Sequence, residues 1–197
     1  QTGPLASGFR LGFRVPEYDA PIRGADVARS VEVRPEATTI TYAHATFTVR
    51  QHVLAPLDEP GLLVLLEVDT WRPLEIVASF RAALQYAWPA GLGGQYASWS
   101  EGDRAFVLSE SLRRRNAFVG SPWATRASSH PAHALPDAPS TFTIPVDPGR
   151  AAREMVPIAI AAGTGERAET ARAYRRLLSR AREIYDARVR HAVALRE

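Results

Sequence analysis

Cysteine and lysine are absent from this chain of 197 residues, and methionine occurs once. Without cysteine there is no disulfide framework, no zinc–thiolate site and no thiol nucleophile. With no lysine, every basic side chain is an arginine, a bias that points to a GC-rich coding sequence more than to a ligand. Charge of one sign is also scarce. The formal balance is +3, too small for strong non-specific attraction to nucleic acid, so no nucleic-acid partner is expected. Long apolar runs are missing as well. The longest, "LLVLLEV", has the length of a strand and ends in acids, far short of the roughly 20 residues of a membrane-spanning helix. No membrane partner is expected.

Several motifs are missing too. The chain has no recognition helix, glycine-rich phosphate loop or Gly-x-Ser-x-Gly elbow, and no cofactor is expected. It opens "QTGPLASG" without a charged-then-apolar leader, which fits either a mature end left by signal removal or the boundary of a piece of a longer protein. An extracytoplasmic location, secreted or periplasmic, is the favoured expectation.

What is present reads mostly as β-structure. Hydrophobic residues make up 46% and charged residues 23%, ordinary values for a chain that buries a core. "RSVEVRP" and "TTITYAHATFTVRQHVLA" alternate apolar and polar residues, with an "AHA" interruption that predicts a bulge or tight bend. "GLLVLLEVD" is apolar on both faces from Leu62 to Leu66, so it should lie centrally and be covered on both sides. "PLEIVASFRAAL" sets Leu74, Ile76, Ala78 and Phe80 on one face of a long strand. Shorter strands follow in "QYASWS", "RAFVLSE", "NAFVGS", "STFTIPV" and "MVPIAIAAG". Around ten strands at even spacing predict a mainly β fold, a large two-sheet antiparallel β-sandwich over residues 1–163. "SPWATRASSHPAHALPDAPS" is expected to be a long surface loop, because its prolines oppose both helix and central strand.

Residues 164–197 change character. From Glu166 the chain has neither glycine nor proline, and an apolar stripe runs through Tyr174, Leu177, Leu178, Ala181, Ile184, Tyr185 and Val189. This predicts one amphipathic linker helix, roughly 45 Å long at helical rise. Its first half should dock on the sandwich. Beyond Val189 it should fray or be covered by another copy.

Candidate chemistry is sparse. Glu67 and Asp69 share a strand face about 7 Å apart, but acids on one strand do not oppose each other across a substrate. "HPAH" (His130, His133) lacks further ligands at metal-binding spacing, and no metal site is assigned. "LRRRN" (Leu112 to Asn116) offers cations to an anion, yet reads more simply as a solvated turn. Aromatic residues are the stronger signal. "QYAWPAGLGGQYASW" sets rings beside a glycine-opened backbone, the pattern of a sugar-stacking surface or of a sheet corner. Trp71, Trp88, Tyr96, Trp99, Trp123, His130 and His133 are the candidate carbohydrate or interdomain contacts. No catalytic residue is assigned.

Two strings carry a family resemblance. "TFTVRQHVLAPLDEPGLLVLLEVDTWRPLEIVASFRAALQYAWPAG" and "LSESLRRRNAFVGSP" resemble the N-terminal β-domain of bacterial amylo-α-1,6-glucosidase-like, glycogen-debranching-type proteins. The resemblance covers roughly residues 28 to 150. It implies a supersandwich followed by a helical linker and a catalytic toroid of six α-helical hairpins, which would be the partner of this domain. That family keeps its acid and base in the toroid, so the resemblance implies an inactive isolated chain within a glycoside hydrolase acting on α-glucans. A stand-alone carbohydrate-binding module is the alternative.

Overall fold

The structure, a computed structural model, describes residues 6–16, 18–84, 94–110, 114–128, 130–131 and 138–194. In chain order the first elements are β1 (Ala6–Arg14), β2 (Ile22–Arg23), α1 (Gly24–Val27), β3 (Ala28–Val33), β4 (Thr38–His44) and β5 (Phe47–Leu54). The middle holds β6 (Leu62–Thr70), β7 (Leu74–Ala82), β8 (Gln95–Ser100), β9 (Ala105–Glu110) and β10 (Asn116–Gly120). Then come β11 (Arg126–Ala127), β12 (Ser140–Val146), α2 (Pro148–Ala151), β13 (Val156–Gly163), α3 (Arg167–Ser179) and α4 (Ala181–Ala194). All strand pairing is antiparallel. The smaller sheet runs β11-β12-β7-β1-β2, and the larger β3-β4-β5-β6-β13-β10-β9-β8.

Side-chain alternation sets the layers. From β7, Leu74, Ile76, Ala78 and Phe80 point inward and meet Val64, Leu66 and Val68 of β6 across the sandwich. The intervening Leu63 and Leu65 point the other way and pack under the C-terminal helices with Phe118, Ala159 and Tyr174. This is the central strand that its two-sided apolar run demands. The "AHA" interruption is a tight bend: His44 pairs with Phe47 across a two-residue turn joining β4 to β5.

Arg180 interrupts the C-terminal helix. Its backbone leaves helical geometry at φ −105° and ψ 10°, giving two helices where the propensity pattern predicts one. The reason is tertiary. Arg180 reaches Asp58 at 3.0 Å and Glu59 at 3.4 Å, and Arg176 reaches the same Glu59 at 3.0 Å. The turn between β5 and β6 thus holds both helices at their junction. Gly61 in that turn has φ +147°, and a Cβ there would lie 2.6 Å from Leu177 Cδ1, so only glycine lets α3 seat this closely. Past Val189 the helix continues to Ala194, with Ala192 buried and Val193 half exposed.

Helices α3 and α4 cover only part of the large sheet. α3 lies on β13 and β10, and α4 meets β5, where Tyr185 packs on His52 at 5.4 Å. The outward face of β8, with Ser109 near the end of β9, is left beside the start of α3.

Candidate functional site

Register defines this uncovered surface. Tyr96 lies opposite Ser109 and Ser98 opposite Val107; Ser109 in turn faces Asn116, and Val107 faces Phe118. Val107 and Phe118 belong to the core beneath the helices, so period-2 alternation puts Tyr96, Ser98, Ser109 and Asn116 on that same outward face. Together with Thr164, Gly165, Glu166, Arg167 and Arg114 they line a cleft of about 980 Å³.

Three local features build its walls. Glu110, buried, accepts the backbone N–H groups of Arg114 (2.6 Å) and Arg115 (3.2 Å), which fixes the chain where it re-enters β10 and holds Arg114 beside the cleft. At the opposite wall, a Cβ on Gly163 would approach Thr170 Oγ1 to 2.4 Å; the missing side chain lets the first turn of α3 close on the end of β13. Glu166 is the N-cap of α3 and makes no side-chain cap bond, while its carbonyl accepts from the Glu169 N–H at 3.0 Å.

The polar groups here are incompletely paired. Asn116 is 3% exposed. Its Nδ2 donates to the Gly165 carbonyl at 3.0 Å, while its Oδ1 has no partner among the described residues. A buried acceptor left so costs about 1–3 kcal/mol. Arg167 extends over Phe118 at 5.9 Å from the ring centroid. Among the described residues neither Arg114 nor Arg167 pairs its guanidinium with an acid. The Tyr96 ring is 52% exposed at the rim. Donors, acceptors and one open aromatic face therefore converge on a single concavity, which suits a polyhydroxylated or amide-bearing ligand.

Of the seven residues expected to make contacts, Tyr96 alone lines this cleft among those described. Trp71 is exposed (64%) at another end of the sheet, with the Arg72 guanidinium 4.2 Å from its ring centroid. Trp99 faces inward, edge-on to Phe106 at 5.2 Å, as a half-buried core residue. Trp123 corrects its sequence reading most. It is 6% exposed within the core, its ring 3.5 Å from the Arg150 guanidinium. The segment after it is not wholly loop: β11 pairs with β12, which draws the preceding residues inward. His130 is half-buried, and Trp88 and His133 lie outside the described residues. No group of three histidines or carboxylates suited to a metal occurs among the described residues.

Glu67, Asp58 and Glu59 are each held in ion pairs. Glu67 bonds Arg50 at 3.1 Å and lies 3.7 Å from His52. Asp58 and Glu59 are committed to the helix junction. Asn116 and Arg167 were not singled out by the sequence, whereas Arg114 lies in "LRRRN", which reads there as a solvated turn.

No protein-family profile and no curated protein sequence matches this chain. Solved structures do match. A bacterial glucoamylase complexed with acarbose superposes on 92% of this chain with a TM-score of 0.59 and 8% sequence identity. The likeness is one of fold. This chain spans 30% of the length of that glucoamylase chain.

Proposed function

We propose that this chain is a non-catalytic β-sandwich domain of a glycoside hydrolase that acts on α-glucans, in the manner of the amylo-α-1,6-glucosidase-like proteins its sequence resembles. The carrying observation is that nearly the whole chain follows the fold of part of a bacterial glucoamylase. The committed state of Glu67, Asp58 and Glu59 supports the non-catalytic role, since a glycosidase needs two carboxyls facing one sugar. Its neighbour would be an α-helical toroid. Val31 and Val33, 65% and 78% exposed on edge strand β3, and Trp71 offer apolar surface for such a contact.

The test is direct. The chain alone should turn over neither maltooligosaccharides nor a chromogenic α-glucoside, and it should co-purify with a separately expressed toroid from the same gene. Turnover abolished by Glu67→Gln or Asp69→Asn would overturn the non-catalytic role. Failure of the toroid to co-purify would overturn the partnership.

A further inference from the structure

We infer that the cleft between the outward face of β8–β10 and the start of α3 is a binding site for a neutral oligosaccharide, with Tyr96 as its stacking platform. The inference rests on the α-glucan reading for its choice of sugar, and on the cleft itself for everything else.

The geometry favours a neutral sugar over an anion. An anion needs donors only, and Arg114 and Arg167 would supply them. Yet the same cleft carries acceptors. Glu166 brings a carboxylate to the wall, and Asn116 Oδ1, without a partner among the described residues, lies buried beneath the floor. Both would be wasted on, or repelled by, a phosphate or carboxylate. Vicinal sugar hydroxyls are donor and acceptor at once. One hydroxyl pair can accept from a guanidinium fork while donating to Glu166, and Ser98 and Ser109 can serve either role. Tyr96 completes the set. Its half-exposed ring stands at the rim, where an aromatic face covers the apolar face of a pyranose. The volume of about 980 Å³ falls in the upper part of the roughly 300–1,000 Å³ range of small-ligand sites.

Calorimetric titration of the intact chain with maltohexaose, cellohexaose and inorganic phosphate tests this. Maltohexaose should bind. Tyr96→Ala and Arg167→Ala should each weaken it by about tenfold, the effect of losing 1.4 kcal/mol. Tyr18→Ala, an exposed aromatic outside the cleft, should leave it unchanged. Both cleft substitutions are at exposed side chains, so they should fold as the parent does. Absence of binding by both sugars would overturn the site while leaving the partnership with a toroid to its own co-purification test. Binding of cellohexaose alone would uphold the cleft and overturn the α-glucan reading. Binding of phosphate alone, or sugar binding indifferent to both cleft substitutions, would overturn the inference.

Discussion

Along β6 and β13 the outward positions are Leu63, Leu65, Ala159 and Ala161, whereas along β8 and β9 they include Tyr96, Ser98 and Ser109. One sheet thus carries two surfaces. The first is closed by α3, whose Tyr174 and Leu177 are fully buried. The second stays open beside the same helix. Burying a leucine-sized side chain is worth about 1.5–3 kcal/mol, so the apolar half recruits a helix. Serines and an asparagine gain little from such cover and lose water by it. The comparison teaches that where the helix ends is decided by the sheet beneath it as much as by the helix, and that the polar half is left for a wet contact.

Leu177→Ala should break the closed half most. Leu177 is 0% exposed and packs against Gly61, Phe118 and β13 neighbours in one cluster. A cavity there should cost about 2–5 kcal/mol, read as a lowered urea midpoint at unchanged slope. A loss below about 1 kcal/mol would mean that α3 is only loosely seated. Gly61→Ala comes next. It adds a Cβ 2.6 Å from Leu177 Cδ1 and 2.9 Å from the Ile160 carbonyl, at a φ that side chains avoid. A cost of about 1–3 kcal/mol is expected, and a neutral result would show that the turn adjusts freely.

These same residues show how much of the molecule its sequence discloses. Period-2 alternation in "PLEIVASFRAAL" and the two-sided run in "GLLVLLEVD" specify the sandwich and its central strand, because burial on each face is written at alternate positions. The interruption at Arg180 is not legible. Nothing local stops a helix there; the cause is Asp58 and Glu59, more than a hundred residues earlier in the chain. The burial of Trp123 is no more legible, since it rests on the core and on Arg150 from a later element. Tyr96 was visible in the site as an aromatic beside glycines. Asn116 was not, because its significance lies in a missing hydrogen bond, which only packing reveals.

His52 reports on the closed half through pH. Burial against Tyr185 lowers its pKa below 6.5, opposed by the nearby Glu67 and assisted by Arg50. The unfolded chain therefore takes up a proton first as pH falls. The stability tied to neutral His52 is present above about pH 6.5 and is lost as pH drops below it toward the depressed folded value. Thermal melting from about pH 7.5 to about pH 5 should fall less steeply in His52→Gln than in the parent. The other histidines, and the carboxylates apart from Glu67, cancel in that difference. Parallel slopes would mean that Glu67 neutralises the effect, making α4 insensitive to this proton.

The smallest effect is expected in the open half, where it sharpens the contrast most. Tyr96→Ala removes a large ring, and in the closed half such a deletion would be among the most damaging in the protein. Here the ring is 52% exposed, belongs to neither hydrophobic core cluster, and stands on β8, the last strand of its sheet. Little apolar contact is lost and no cavity forms. The unfolding free energy should stay within about 0.5 kcal/mol of the parent, while maltohexaose binding falls. A stability loss approaching that of Leu177→Ala would show Tyr96 to be a packing residue. The open face would then be structural surface, and the distinction between the two halves would fail.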